Sequence, residues 1–363
     1  MVQPSISTDM KLGTHILYPA FAFRQYNNQA ELTGCVTVAA LFEVNSQGIC
    51  QSIGVQPEIR LTDELIGPED PPLELKRQAD FLPFKPGTDV TVLAEAVAPS
   101  GRPEQSWYCG IRGAGLEARL RVHGPRRWQE IGRLVQPGPA EPVSTVRLSW
   151  RSAWGGAEVG ADGKLTGEVD SRNPIGAGYA ARGAERAMIG VLVPQVEAAD
   201  EPIVSVFHAS EPAGVAPVAP ISSWRANFAG TYDEKWQKTV HPFLPRDFDP
   251  RFYQCAPPLL RSANHLCGDE KFEMVNLHAK YPRLSVSLPS LAFGAVASYR
   301  DGNRLRMPLA LDGVHFELLG PKPQVRLTWR TSFLWYSGIT AMDVGALDFD
   351  SLHHPTPDAA YAG

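Results

Sequence analysis

The sequence predicts a mainly β protein in which antiparallel sheets form two packed β-sandwich-like units, wrapped by long Pro/Gly-rich loops and with little helix. Three observations support this fold class. Apolar runs of strand length recur along most of the chain, 32 glycines and 32 prolines interrupt them without a period, and helical periodicity is scarce. With 363 residues, 44% of them hydrophobic, the chain can bury a large core. The pattern leaves open whether the two units form one domain or two.

The first predicted β unit spans residues 1–156. Residues 35–44 form a mostly apolar run suited to a buried strand, and an Asn-Ser-Gln-Gly turn separates them from a second strand at 49–55. Residues 89–97 return to a strand, and a cluster of turn residues follows at 98–103. The other strands of this unit are predicted at 107–111, 116–122, 128–134 and 143–150.

Residues 157–280 are rich in glycine, proline and aromatic residues, and we predict that they wrap the β units. Within them, residues 217–258 hold eight large aromatic rings with prolines between them. Proline restricts the backbone and large rings bury much area, so this stretch is predicted to be a rigid aromatic belt held against the core. The best helix candidate is 231–240, where Thr231 can act as N-cap and Glu234 completes a capping-box spacing.

Residues 281–341 are predicted to form a C-terminal antiparallel β-meander. Strand-length runs occur at 284–288, 295–299, 305–311, 315–319 and 325–331. The dipeptides Asp301-Gly302 and Asp312-Gly313 separate some of these runs, and Asp-Gly strongly favours a hairpin turn. Residues 342–363 have no strand or helix pattern and are expected to be a flexible tail.

Composition excludes several classes of partner and location. The net charge of −5 argues against a surface that follows phosphates, so no direct contact with nucleic acid is expected. Five widely spread cysteines, an odd number, favour free thiols in a reducing cytosol. The first residues lack the basic start and apolar stretch of a signal peptide, and the longest apolar run is too short to cross a bilayer. We therefore expect a cytoplasmic protein without membrane insertion.

No motif for a cofactor or metal stands in the context it requires. Gly176-Ala-Gly178 begins a loose dinucleotide-loop match, but no buried strand precedes it, and a P-loop is missing. Four soft metal ligands occur within a short stretch, but their C-x₉-H-x-C-x₁₀-H spacing lacks the close pairs of a zinc site; they are Cys255, His265, Cys267 and His278. We predict neither a cofactor nor a metal.

Two pairs of carboxylates are the best candidates for acid–base chemistry. Asp247 and Asp249 are two residues apart, and Asp80 and Asp89 flank a Phe-Lys-Pro-Gly-Thr turn. Both pairs have neighbouring cations, which are Arg246, Arg251 and Lys85. Structural ion pairs are the simpler explanation, and no nucleophile elbow is present. The sequence therefore predicts that the protein is not an enzyme.

Aromatic residues outside the strand pattern suggest two kinds of binding surface. A sugar-stacking platform could be formed by Trp128, Trp150, Trp154, Trp224 and Trp236, although tryptophan is more often a core residue. Phe333, Trp335 and Tyr336 follow the last predicted strand and could form an exposed protein-docking patch. The alternative for these three rings is that the chain folds back and packs them on the core.

The belt contains two sequence motifs, W-R-x-x-x-A-G-T-Y-D-x-x-W (224–236) and P-x-L-P-x-D-F-D-x-R-F-Y-x-x-A-P-P (242–258). Upstream of them come, in order, F-L-P-F-K-P-G-T-D-V with A-P-S-G-R-P, then L-R-V-H-G-P-R-R-W, L-S-W-R-S-A-W-G-G and N-P-I-G-A-G-Y. Together these segments resemble the type VI secretion effector adaptor and chaperone family, known as the domain of unknown function 2169 family. The motif residues that we assign to the scaffold are Asp80, Lys85, Pro86, Asp89, Arg127, Trp128, Trp150, Asn173, Pro174, Trp224, Tyr232, Asp233, Trp236, Asp247, Asp249 and Arg251.

The resemblance implies a role and no catalytic constellation. It implies a bacterial, cytoplasmic adaptor or chaperone that binds a type VI secretion effector, such as a nuclease toxin, stabilises it and helps to load it onto the spike tip proteins. The alternative is a β-sandwich module that binds or hydrolyses glycans. An effector-binding face should be fitted to its own cargo, so we expect it outside the shared motifs, in segments such as 56–79, 157–170, 195–216 or the tail.

Overall fold

The computed structural model describes residues 11–66, 74–206 and 210–347. Strands hold 44% of the residues and helices 7%, so the prediction of a mainly β fold is confirmed. No helix in these three ranges is long and apolar enough to cross a membrane. The five cysteines all lie within them, and all five are free.

The strands are, in chain order, β1 (Lys11–Thr14), β2 (Ala20–Tyr26), β3 (Leu32–Val44), β4 (Cys50–Ser52), β5 (Glu64–Ile66), β6 (Glu74–Arg77), β7 (Asp89–Leu93), β8 (Glu95–Val97), β9 (Ser106–Gly113), β10 (Leu116–His123), β11 (Trp128–Ile131), β12 (Leu134–Pro137), β13 (Thr145–Arg147), β14 (Trp154–Val159), β15 (Leu165–Val169), β16 (Ala177–Ala180), β17 (Val196–Ala198), β18 (Lys271–Val275), β19 (Arg283–Ser287), β20 (Phe293–Tyr299), β21 (Arg304–Pro308), β22 (Ala310–Glu317), β23 (Gln324–Leu334) and β24 (Ile339–Ala346). The helices are α1 (Ser223–Ala226) and α2 (Glu234–Thr239), with four 3₁₀ turns at Trp150–Ser152, Glu185–Met188, Pro250–Tyr253 and Pro258–Leu260.

A six-stranded sheet, called here the central sheet, joins the two ends of the chain. Its order is β2-β3-β23-β22-β7, and β4 pairs with the far end of β3. Strands β3 and β23 are antiparallel from Gln324 opposite Glu43 to Leu334 opposite Thr33. The predicted boundaries at 156, 280 and 341 divide the chain along its sequence, but in space the first and third segments share this sheet.

Two further sheets pack on the apolar face of the central sheet. One has the order β1-β24-β20-β21 and the other β17-β10-β9-β18-β19. Phe293 of the first meets Trp329 of the central sheet with ring centroids 4.8 Å apart, and Phe272 of the second meets Phe316 at 5.5 Å. All four rings belong to one large hydrophobic core that is continuous across the three sheets. The described chain is thus built on one main core.

A smaller core lies beside the main one. It contains Trp128, Trp154, Met188 and other buried side chains. Trp154 is the first residue of β14, which belongs to the three-stranded sheet β15-β14-β16. A buried ion cluster stands close to it, in which Glu197 accepts hydrogen bonds from His123 at 2.7 Å and Arg126 at 2.9 Å.

The strands predicted as one C-terminal meander are distributed over three sheets. Strand β19 pairs with β18, β20 and β21 form a hairpin, and β22 and β23 form another hairpin in the central sheet. The turn at Asp301-Gly302 joins β20 to β21, and Gly302 has φ of 90°. The expected tail from 342 begins with five residues of β24, where Met342 and Val344 are buried. Residues 348–363 of that tail lie outside the described residues.

The helix predicted at 231–240 is shorter, because a different residue caps it. The carboxylate of Asp233 accepts a hydrogen bond from the Trp236 backbone N–H at 2.7 Å, so α2 begins at Glu234. Thr231 instead donates its hydroxyl to Asp247 at 2.7 Å. The expected N-cap is therefore corrected from Thr231 to Asp233.

Candidate functional site

The second face of the central sheet is polar but mostly buried. Side chains of paired residues lie on the same face of a sheet, and Thr91, His315 and Arg326 are successive partners across β7, β22 and β23. By strand alternation this polar face also holds Asp89, Thr328 and Arg330. The segment that covers it carries Asp80 and Lys85, and both are as buried as core residues.

Asp80 anchors the covering segment to the sheet. Its carboxylate accepts hydrogen bonds from Arg326 at 2.5 Å and from the backbone N–H of Arg60 at 2.8 Å. Burial by itself would raise the pKa of Asp80, but Arg326 and Arg60 outweigh it and hold that pKa below its usual value. The sequence suggested Lys85 as the cation near Asp80, whereas the structure places Arg326 there.

Lys85 pairs with Asp89 in the interior. The ammonium lies 2.6 Å from one oxygen of Asp89, and the same oxygen accepts the Cys255 backbone N–H at 2.6 Å. Next to Lys85, Pro86 is exposed and Gly87 lies so close to the carbonyl of Ser262 that a side chain would clash. The motif Lys-Pro-Gly-Thr-Asp therefore locks the belt to the central sheet.

Cys255 is buried beside this ion pair, with its sulfur 3.9 Å from the Lys85 nitrogen. Burial raises the pKa of Cys255 to about 11, although Lys85 opposes the rise. A thiol with such a pKa is protonated near pH 7 and is a poor nucleophile. This cysteine serves packing.

Asp312 was predicted to form a hairpin turn with Gly313, and this prediction is wrong. Both residues lie within β22, where the register shifts between Leu311 and Gly313 to form a bulge. The extra residue turns the Asp312 carboxylate toward the polar face, where it binds Arg330 and accepts the Lys85 backbone N–H at 3.1 Å. A buried partner for Arg330 has overridden the local turn preference.

An open cleft of about 450 Å³ lies at one end of the polar face. Its floor includes Lys85, Asp312 and Arg330, and its walls come from the belt, the ends of β2 and β23, and the loop before β7. Apolar side chains line much of it, namely Pro83, Phe84, Leu244, Phe248, Pro250, Tyr253, Pro308, Phe333 and Leu334. Amide and hydroxyl groups stand among them, namely Gln25, Asn27, Asn28, Thr33, Thr331 and Ser332. Apolar walls with scattered hydrogen-bonding groups suit an extended polypeptide segment.

A second groove, of about 500 Å³, is lined by other parts of the chain. It is called here the acidic groove, because Glu117, Asp200, Glu201 and Glu211 line it together with one cation, Arg119. Its apolar part contains three prolines, Trp224 and Leu259, and the Leu259 side chain is 66% exposed. The segments 198–201 and 211–214 that line it lie within 195–216, one of the segments predicted to bind cargo.

The upstream motif residues are mostly structural. Trp128 and Trp150 are buried in the smaller and the main core, and Arg127 is exposed with its guanidinium 2.6 Å from the Gly190 carbonyl. The side chain of Asn173 donates hydrogen bonds to the carbonyls of Trp150 and Trp154, each at 2.8 Å. Pro174, half-buried, follows it. These contacts hold irregular backbone in place.

The belt motifs are also built from local contacts. Tyr232 stacks edge-on against Trp236 with centroids 4.7 Å apart, and Trp224 meets Trp150 at 5.5 Å. Asp249 caps a 3₁₀ turn and pairs with Arg251 at 2.6 Å, as the sequence suggested.

Asp247, the other carboxylate of that pair, bonds Thr231 and not Arg246, which the sequence suggested as its partner. It bonds the Thr231 side chain and backbone N–H at 2.7 and 3.0 Å. These hydrogen bonds hold the pKa of Asp247 below its usual value. The two carboxylates thus have separate structural partners.

Two of the three predicted docking rings pack on the sheet. Phe333 belongs to β23 and lines the cleft, while Trp335 follows the strand and lies under the guanidinium of Arg24 at 5.0 Å. Both are partly buried, whereas Tyr336 is 57% exposed. A further strand follows these rings, which the sequence did not indicate.

Within the three described ranges, no group of three or more His, Cys, Asp or Glu side chains could hold a metal ion. Two members of the weak zinc pattern have other partners: His265 bonds the Lys85 carbonyl at 2.8 Å and His278 the Gly320 carbonyl at 3.0 Å.

Sequence reasoning missed the polar partners supplied by β22 and β23, which are Asp312, His315, Arg326 and Arg330. One signal was available, since Arg326, Thr328 and Arg330 alternate with Val325, Leu327 and Trp329 along a strand. Strict alternation in a strand that is buried on both faces marks a sheet with one polar interior face.

Fold and site together define the class of this protein: a mainly β scaffold whose motif residues join in buried ion pairs beside an open cleft. The chain belongs to the bacterial family DUF2169, described as uncharacterized protein conserved in bacteria, whose family model matches residues 29–330. The match includes every motif residue assigned to the scaffold and ends at Arg330, before the last cleft-lining residues of β23. No curated protein and no solved structure matches the chain.

Proposed function

We propose that this protein is a non-enzymatic cytoplasmic adaptor and chaperone. It binds a type VI secretion effector, stabilises it and helps to load it onto the spike tip proteins. The type VI context comes from the resemblance of its motifs, since the matching family model carries no function of its own.

The observation that carries the proposal is how the motif charges are used. Lys85 is paired with Asp89, Asp80 with Arg326 and Asp249 with Arg251. Side chains engaged in such pairs build a frame and are not poised for acid–base catalysis. Beside this frame lies a cleft with apolar walls and amide groups, which suits a bound polypeptide.

An adaptor requires two binding surfaces, and the cleft and the acidic groove are two of the grooves of similar size within the described residues. The motif segments 81–90 and 242–258 contribute one part of the cleft lining, including Lys85, so we assign the cleft to the partner that family members would share, the spike. The acidic groove is built largely outside those motifs and is assigned to the effector. An effector that cannot bury its own apolar surface gains stability by mass action while it is bound.

The alternative, a carbohydrate-binding or glycan-hydrolysing module, has less support. Of the five tryptophans that could form a sugar platform, Trp128, Trp150 and Trp154 are at most 4% exposed. Rings buried to this degree are core residues and offer no face to a sugar. At the belt, Asp249 pairs with Arg251 and Asp247 accepts two hydrogen bonds from Thr231, so both carboxylates have structural partners.

Pull-down from the source cell, followed by mass spectrometry, tests the proposal. The tagged chain should recover a type VI effector and a spike protein. Leu259→Asp in the acidic groove should lose the effector and keep the spike protein, and Leu334→Asp at the cleft should do the reverse, so each variant is the control for the other. Recovery of neither protein, together with binding on a glycan array, would refute the adaptor and favour the sugar module.

A further inference from the structure

Strand β17 covers only part of the edge of β10. The two strands pair over residues 120–122 of β10. Beyond them the Ala199 N–H still donates to the Arg119 carbonyl at 3.0 Å, and there the chain turns away from the sheet. Because β10 begins at Leu116, its residues 116–118 have no strand beside them on this edge among the described residues.

The backbone of Glu117 faces this free edge. Successive residues of a strand direct their backbone groups to alternate sides. Arg119 and His123 bond toward β17, through the Arg119 carbonyl and through the His123 N–H, which donates to the Gln195 carbonyl at 2.9 Å. Glu117 lies two residues before Arg119 and therefore directs its own N–H and carbonyl to the same side, where no described backbone group pairs with them.

The acidic groove lies along this free edge and has two unlike sides. Residues 117–120 of β10 line it. Alternation places Glu117 on one face of β10 and Leu120 on the other, where Leu120 joins the main core. Leu260 belongs to the same core, so its exposed neighbour Leu259 stands on the apolar side of the groove. The groove thus has a charged side and an apolar side.

Two carboxylates on the charged side are uncompensated. Glu117 and Glu201 form no ion pair within the described residues. Arg112, the register partner of Glu117 on β9, already binds a glutamate of β18 at 2.5 Å. The one cation of the groove lining, Arg119, pairs with Asp200 at 3.7 Å.

Charge therefore selects a basic occupant. Glu211 is paired with Arg172, which lies outside the groove lining, at 2.7 Å, but Glu117 and Glu201 still give the groove a surplus of negative charge. Lysine and arginine side chains are attracted to such a surface. A second copy of this chain would bring the same carboxylates to the edge, so repulsion between like charges opposes pairing between two copies.

We propose that the acidic groove binds a basic segment in extended conformation, as a short antiparallel strand added to β10 where β17 ends. Glu117 bonds this strand through its N–H and carbonyl, basic side chains lie beside Glu117 and Glu201, and the apolar side chains between them pack on Leu259 and Trp224. That the segment belongs to the effector rests on the proposed function; the preference for a basic extended segment does not.

Short labelled peptides test the proposal without any effector. In the first peptide lysine alternates with valine, and in the second glutamate replaces each lysine. By fluorescence anisotropy, the lysine–valine peptide should bind the native chain, and the glutamate–valine peptide should bind at least roughly tenfold more weakly.

N-methylation separates an added strand from attraction by charge alone. Residues directly opposite each other in a sheet have side chains on the same face, so a lysine beside the Glu117 side chain also directs its backbone N–H toward Glu117. Methylating the backbone nitrogens of the lysines should therefore abolish binding. Methylating those of the valines is the matched control, and it should leave binding in place because those nitrogens face away from β10.

A charge reversal in the groove gives a further measurement at physiological ionic strength. Glu201→Lys should weaken binding of the lysine–valine peptide roughly tenfold. The control is Glu168→Lys, which makes the same change of charge at an exposed residue of β15 outside the groove lining. It should leave the affinity within about twofold, because salt screens exposed charges outside the groove.

Four results would each overturn the proposal. They are failure of the lysine–valine peptide to bind, equal binding of the glutamate–valine peptide, equal effects of the two methylation patterns, and equal losses in Glu201→Lys and Glu168→Lys. The adaptor function would survive any of these results, because the pull-down tests it. Conversely, a pull-down without an effector would refute the adaptor and leave the preference of the groove for a basic strand in place.

Discussion

Lys85 illustrates how single residues hold this molecule together. Its side chain is buried and depends on Asp89 for charge compensation. Removing one partner of a buried pair leaves the other charge unpaired in a medium of low polarity, which costs more than the pair itself contributes.

We predict that Lys85→Met lowers the free energy of unfolding by about 3–5 kcal/mol. The matched control is Lys322→Met, which removes a lysine from a surface pair with Glu43 at 2.7 Å and should cost roughly 0–1 kcal/mol. Urea denaturation of both variants measures the difference. Equal losses in the two variants would show that the Lys85 pair is not a structural anchor.

A second residue-scale prediction concerns acid pH. The His315 Nδ1 and the Thr91 hydroxyl share a hydrogen bond of 2.8 Å. Burial lowers the pKa of His315 from 6.5 to about 4. Because the unfolded state binds the proton more readily, the stability that His315 contributes is complete above pH 6.5 and is lost as the pH falls toward 4. The slope should be on the order of 1 kcal/mol per pH unit in this window.

His315→Gln should flatten that slope in denaturation curves measured between pH 7 and 5. It will not remove the slope entirely, because burial also lowers the pKa values of His123 and His278. If the variant and the native chain show the same pH dependence, His315 is not held neutral in the fold.

At the scale of elements, local pattern predicted strands better than it predicted their partners. The runs at 107–111 and 116–122 correspond to β9 and β10, which form a hairpin from Ser106 to His123. Sequence alternation reports a strand and its faces, but pairing between β3 and β23 joins residues almost 300 positions apart and leaves no local signal. The hairpin turn predicted at Asp312-Gly313 was wrong for the same reason. Asp312 instead lies in a bulge of β22, where it contacts Lys85 and Arg330, and these partners leave no local signal.

The cap of α2 gives a prediction for one element. No residue of this helix is buried, so its stability depends on Asp233 at the N-cap more than on packing. Asp233→Ala should cost about 1 kcal/mol of local stability, visible as faster hydrogen exchange at residues 236–239, and Asp233→Asn should retain most of the protection. Unchanged exchange in the alanine variant would mean that belt contacts hold the helix without its cap.

At the scale of the whole molecule, the central sheet makes the two ends of the chain depend on each other. Residues 1–156 supply β3 and β7, and the C-terminal part supplies β22 and β23 between them. Expressed alone, residues 1–156 should therefore be insoluble or lack cooperative unfolding, because β3 would expose Val36, Val38 and Ala40, which are fully buried in the full chain. Cooperative thermal unfolding of this fragment would contradict the shared sheet.

The proposed type VI role rests on the resemblance of the motifs and not on the chemistry of the residues alone. Alternation and turn residues predicted the fold class, whereas the motif residues were assigned to the scaffold through the family resemblance, and of these Lys85 lines the cleft. The cleft itself required distant segments to meet: the loop before β7, the belt and the end of β23. Which molecule binds in the cleft depends on the surface of that molecule as much as on the surface of the cleft.

The most direct measurement is the soluble yield of a type VI effector from the same cell, expressed with and without this chain. The adaptor account predicts that the effector aggregates alone, and that with this chain it is soluble and co-purifies in a stoichiometric complex. Leu259→Asp should return the effector to the insoluble fraction while the chain itself stays soluble. An effector that is equally soluble alone and does not co-purify would contradict the central claim.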